Sequence, residues 1–124
     1  MPTVLILDDQ TIGLMILEEL IHSIDENIHV ECFSDPIKAL EWAKHNNHDL
    51  VITDYNMPEM DGEALVNHVR ANSNQSSIPI IMVTSEENEN RLAAVQQAGV
   101  SAICDKPFEP GNIRTLLQQL FSEE

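Results

Sequence analysis

Short apolar runs alternate along this chain with stretches in which apolar residues recur every three or four positions. Residues 4–7, 50–52 and 78–83 are continuous runs rich in branched side chains, as expected of parallel strands covered on both faces. Residues 28–33 and 101–104 are shorter, weaker strand candidates. Helical periodicity falls between them, at 11–24, 35–46, 62–72, 87–98 and 110–121. Asp35-Pro36 reads as an N-cap followed by proline at the first helical position, and Gly99 ends the fourth helix. Glu109-Pro110-Gly111 opens the last helix poorly, yet Ile113, Leu116, Leu117 and Leu120 make an apolar stripe. On a helical wheel the first helix turns Ile12, Ile16, Leu17, Leu20 and Ile24 toward a core. Met15 falls on the opposite arc with Glu18, Glu19 and His22, and Leu14 lies at the margin.

Five strand-then-helix units in series predict a doubly wound α/β fold with right-handed crossovers and helices on both faces. The strand order usual at this size is the flavodoxin-like 2-1-3-4-5, in which ligands bind beyond the carboxyl ends of the strands. No internal repeat, low-complexity tract or linker interrupts the pattern, so residues 1–124 are expected to form one domain.

Composition narrows the partners. The chain has 21 Asp plus Glu against 6 Lys plus Arg, a formal net charge of −15. Direct nucleic-acid or anionic-membrane binding needs a basic footprint that this sequence lacks. Apolar residues make up 43% of it, enough for a core. No apolar stretch approaches the roughly 20 residues of a membrane span, and the first ten residues lack the features of a signal peptide. Cytoplasmic residence is the default expectation. Cys32 and Cys104 fall on the second and fifth strands, opposite sheet edges in the expected order, too far apart to bridge, and are read as inert thiols.

The chemistry gathers at the predicted strand ends. Asp8 and Asp9 follow the first strand, Asp54 the third, Thr84 and Ser85 the fourth, and Lys106 the fifth. A single Asp after a strand is usually a turn or cap residue. Six polar positions on one edge need another cause. Carboxylates about 5 Å apart repel by about 3 kcal/mol per pair at an effective dielectric near 20. Such a cluster calls for a cation, and oxygen-only ligands favour Mg²⁺ with several retained waters. Lys106 and Thr84 could then hold the oxygens of a phosphoryl group, and Asp54 could attack its phosphorus.

These residues resemble a known family. Ile-Leu-Asp-Asp at 6–9, Asp-Tyr-Asn-Met-Pro-Glu-Met-Asp-Gly at 54–62, Val-Thr-Ser at 83–85 and Asp-Lys-Pro-Phe at 105–108 look like the receiver domain of two-component response regulators. The resemblance runs from the first strand through the last helix. It implies that Asp54 is the phosphoacceptor, taking its phosphoryl group from a histidine kinase or phosphotransfer protein. Asp9, Asp54 and the backbone carbonyl of Asn56 would ligate Mg²⁺ directly, and Asp8 through water. Thr84 would be the switch hydroxyl and Lys106 the ion-pair partner, aimed by a cis peptide before Pro107. Asn56 and Glu86 would tune hydrolysis of the phosphoryl group. The output would be altered contact with a protein target, by a receiver either free-standing or cut from a longer regulator, acting as a monomer or as a phosphorylation-dependent dimer. One position departs from the family: Ile103 stands where many receivers carry Tyr or Phe, which puts the usual aromatic coupling in doubt.

Other features have plainer readings. Pro58 stiffens the loop after Asp54, and Asp61 caps the third helix with Gly62 easing the entry. Trp42 is expected half-buried at the edge of the second helix's stripe, and Thr84-Ser85 could cap the fourth helix instead of serving the site. His22, His29, His45, His48 and His68 show no metal spacing and are expected at the surface. Met15 and Leu14 are candidates for docking a kinase or phosphotransfer helix bundle. The competing enzyme is a haloacid-dehalogenase-type phosphatase, which also uses Asp, Thr or Ser, Lys and Mg²⁺. Its Asp-x-Asp-x-Thr run is absent, because Asp8 is followed two places on by Gln10. A flavodoxin-type electron carrier would need a phosphate loop rich in Ser, Thr and Gly, whereas acids occupy the first loop here.

Overall fold

A computed structural model describes residues 2–72, 77–106 and 110–121. The chain runs β1 (Thr3–Leu7), α1 (Thr11–Ile24), β2 (His29–Phe33), α2 (Pro36–His45), β3 (Leu50–Thr53), α3 (Gly62–Ala71), β4 (Ile80–Thr84), α4 (Glu89–Ala98), β5 (Ala102–Asp105) and α5 (Pro110–Phe121). The strands form one parallel sheet in the order β2-β1-β3-β4-β5, as the sequence pattern predicts. Among the described residues no helix is long and apolar enough to cross a membrane.

Strand position in the sheet explains the apolar pattern. The inner strands β3 and β4 are buried at every residue, whereas the edge strands β2 and β5 are only half-buried. Alternate residues then serve two cores. Leu5, Leu7, Val51, Ile80 and Met82 face one side with Leu65, Val66 and Val69 of α3 and Val95 of α4. Val4, Ile6, Leu50, Ile52, Ile81 and Val83 face the other with Leu17 and Ile21 of α1 and Ile113 and Leu117 of α5. Cys32 and Cys104 lie on opposite edge strands as free thiols, and burial, then Glu18, pushes Cys32 up to about 11.

Capping follows the sequence closely. Asp35 accepts from Ile37 N at 2.9 Å and Asp61 from Ala64 N at 2.9 Å. Gly99 takes φ 113°, a left-handed conformation that suits glycine, and ends α4. Arg70 of α3 donates to the carbonyl of Gly99 from Nε at 3.1 Å and Nη2 at 2.7 Å, and to that of Ile78. The far end of α4 is thereby tied to α3 and to the approach to β4. Burial pulls the Arg70 guanidinium below its usual range.

Several expectations are corrected. Ile12 and Ile16 are exposed, at 70% and 48%, while Leu14 packs against the core and Ile21 is fully buried. A 14-residue helix is about 21 Å long and a five-residue strand about 16 Å, so the first turns of α1 overhang the sheet and have nothing to cover. His48 is buried, 6% exposed, beside the Trp42 ring. β4 starts two residues later than the run at 78–83, because Pro79 cannot donate to a ladder. α4 starts at Glu89, because Asn88 rather than Thr84 or Ser85 is its cap. The expected cis peptide before Pro107 lies outside the described residues.

Candidate functional site

The sheet register delivers the acids and the lysine to one edge. Asp8, Asp54 and Lys106 are each the first residue beyond β1, β3 and β5, and Thr84 is the last of β4. Main-chain bonds at this level tie β1 to β2, β3 to β1 and β5 to β4: Asp8 N to Phe33 O at 3.2 Å, Asp54 N to Leu7 O at 3.0 Å and Lys106 N to Thr84 O at 2.9 Å.

Oxygens of Asp8, Asp9 and Asp54 lie within 4.8 Å of one another. Asp8 and Asp54 are buried and Asp9 is exposed, so the cluster opens to water on the Asp9 side. Lys106 Nζ donates to Asp54 Oδ2 at 3.0 Å and to Asp8 Oδ2 at 3.4 Å. Burial pulls the Lys106 ammonium down, but the hydrogen bond and charge of Asp54, then those of Asp8, outweigh it and raise it above the usual range. The lysine is therefore a cation at neutral pH. The second Asp54 oxygen, Oδ1, accepts from Tyr55 N at 2.7 Å and Asn56 N at 3.4 Å. This aims the carboxylate and keeps both oxygens occupied by donors. All ligand atoms are oxygens, and the site carries a net negative charge despite the lysine, the donor set of a hard cation.

Residues 4–118 match the family described as the response regulator receiver domain. The chain belongs to that family. Chemotaxis protein CheY-3 of Vibrio cholerae is 31% identical over 95% of this chain and 90% of its own. The structure of chemotaxis response regulator CheY4 of Vibrio cholerae superimposes with a TM-score of 0.87 at 30% identity, covering 97% of this chain and 98% of that one. The magnesium-bound receiver domain of sensor histidine kinase PA1611 from Pseudomonas aeruginosa gives a TM-score of 0.86 at 24% identity, over 98% of each chain. The match leaves the phosphatase reading without support. As a receiver of two-component signalling, the chain has its acid cluster and Lys106 at the strand ends where such sheets bind ligands.

Around this receiver site stand further residues, of which the sequence pattern did not single out Gly13 and Arg91. Gly13, in the first turn of α1, would place a Cβ on top of Asp8 Oδ2 and 2.9 Å from its Cγ. With the Asp8 carboxylate in this position, only a hydrogen fits there. The available signal was a glycine in a helix, where alanine is better by about 1 kcal/mol. Gly62 is pressed in the same way: a Cβ would sit 2.6 Å from Met82 Cε and 3.0 Å from Tyr55 Cα. Thr84 is fully buried, and its Oγ1 accepts from Glu86 N at 3.0 Å. Ile103, where many receivers carry an aromatic, is half-buried and packs against the core formed with Met82. Arg91, also unforeseen, pairs with Glu86 at 2.9 Å.

Proposed function

We propose that this receiver accepts a phosphoryl group from a phosphohistidine onto Asp54, with Mg²⁺, and so changes its affinity for a protein target. The observation that carries this reading is the Asp54 carboxylate, buried between two further acids and the Lys106 ammonium. Asp54 attacks phosphorus, the P–N bond breaks, and its electron pair returns to the imidazole of the donor. Lys106 turns from the carboxylates to the phosphoryl oxygens, and the buried Thr84 hydroxyl supplies a further donor. The protein catalyses only its own phosphorylation and slow hydrolysis, and acts in the cytoplasm, where its donor is charged.

Asp9, Asp54 and the carbonyl of Asn56 would hold Mg²⁺ directly, with Asp8 acting through water. Spacing within 4.8 Å and the exposed Asp9 suit an ion that keeps waters. When bound, the ion offsets the acid charge so that the pocket tolerates a phosphoryl group. Adding Mg²⁺ at about a hundred times its dissociation constant is expected to stabilise the fold by about 2.7 kcal/mol, or about 10 °C in Tm. Calorimetry with and without the ion checks this; a flat Tm speaks against the ligand set.

The exposed stripe of Ile12, Met15 and Ile16 begins three residues after Asp9. Apolar side chains at spacings of three and four residues suit a helix of the donor, a kinase or phosphotransfer bundle. The deciding experiment is intact mass after incubation with acetyl phosphate and Mg²⁺. One phosphoryl group, labile to hydroxylamine as an acyl phosphate is, is the expected result. An unchanged mass under those conditions would remove the reading.

A further inference from the structure

The segment from Thr84 to Arg91 holds a set of bonds that phosphoryl transfer does not use. Thr84 Oγ1 accepts the Glu86 N–H at 3.0 Å. Glu86 Oε2 accepts the N–H groups of Glu87 at 3.1 Å and Asn88 at 3.0 Å. Its other oxygen, Oε1, is held by Arg91 Nη1 at 2.9 Å, from the first turn of α4. Asn88 caps that helix by accepting from Arg91 N at 3.1 Å. Arg91 thus closes a ring from the helix back onto the loop. The amide of Asn88, then Arg91, hold the Glu86 carboxyl below its usual range. Tyr55 and Asp61, on the segment after β3, add weaker charge effects on the same guanidinium.

This ring competes for the hydroxyl that the phosphoryl group needs. Turning Thr84 Oγ1 toward Asp54 takes it from the Glu86 N–H, which then lacks that acceptor. The Glu86 main chain must shift to find another, and the Glu86–Arg91 bond opposes the shift. We propose that Arg91 is a positioning residue: acting through Glu86, it keeps the Thr84 hydroxyl turned away from Asp54 and so restrains phosphoryl uptake. The inference rests on the phosphoacceptor reading of Asp54.

Removing an exposed ion pair shifts such an equilibrium about two- to fivefold. Phosphoryl uptake from acetyl phosphate at saturating Mg²⁺ is therefore expected to be two to five times faster in Arg91→Ala. Arg91→Lys, which keeps the charge but loses the planar fork, should fall between. In a Thr84→Ala background the Arg91→Ala acceleration should vanish. A bulk charge effect has the opposite sign, because taking a cation from this acidic protein repels an anionic donor. Hydrogen exchange at the Glu86 amide, read in metal-free, unphosphorylated protein, should quicken by a similar factor in Arg91→Ala. Uptake that is unchanged or slower in Arg91→Ala, or equally accelerated without the Thr84 hydroxyl, overturns the proposal. A wild-type protein that takes up no phosphoryl group defeats the reading of Asp54 instead. The Glu86 amide then decides alone: faster exchange upholds the ring, and unchanged exchange overturns it.

Discussion

Asp54→Asn protein is expected to remain unphosphorylated under conditions that modify every wild-type molecule. The amide oxygen can still accept from the N–H groups of Tyr55 and Asn56, which hold Asp54 Oδ1 at 2.7 and 3.4 Å. The amide nitrogen, however, would face the Lys106 ammonium that now sits 3.0 Å from Oδ2, and it offers no nucleophilic oxygen there. Folding should survive. The change loses an ion pair with Lys106, but it also removes one member of a cluster whose carboxylates repel at about 3 kcal/mol per pair. These two effects oppose each other, so urea unfolding without metal should change by about 1 kcal/mol or less. Intact mass and urea titration together make the check. Labelling of Asp54→Asn to the wild-type extent would place the acceptor elsewhere.

Gly13→Ala should separate the stability of the fold from the integrity of the site. In a helix the exchange contributes about 1 kcal/mol of stabilisation through lower backbone entropy and better propensity. Here the new methyl would occupy the place of Asp8 Oδ2. The Asp8 carboxylate has to swing, giving up the Gln10 N–H on Oδ1 at 2.9 Å and its contact with Lys106 at 3.4 Å. Displacing a group that orients metal-bound water commonly lowers affinity by about 10- to 100-fold. We therefore expect a metal-free Tm close to the wild-type value, with at least a tenfold loss in Mg²⁺ affinity and a matching loss in phosphoryl uptake at limiting Mg²⁺. Calorimetric titration with Mg²⁺ reads both quantities. An unchanged affinity would show that Asp8 has room to move without consequence.

The acids, Lys106 and Thr84 could be located before any coordinates because strand ends are visible in sequence. Branched apolar runs stop at Leu7, Thr53 and Thr84, and a parallel sheet brings such stops to one edge. Ile12 and Ile16 were misplaced for a reason of the same kind. A helical wheel supplies the direction of a side chain around its axis, but not whether a neighbour exists at that height. His48 was invisible because its burial depends on Trp42 and the turn before β3, contacts set by tertiary packing. Gly13 and Arg91 act through atoms of Asp8 and Glu86 that only the folded chain brings within reach. The same holds for Arg70, whose partners Ile78 and Gly99 lie 8 and 29 residues away.

The clasp made by Arg70 sets how α4 is able to move. It secures the helix at Gly99, while Val95 is its one buried residue and the opposite terminus hangs from the Asn88 cap and the Glu86–Arg91 pair. A rod pinned at one end swings about the pin. Over ten residues, about 15 Å, a small rearrangement beside Thr84 becomes a tilt whose amplitude is greatest next to the site and fades toward Gly99.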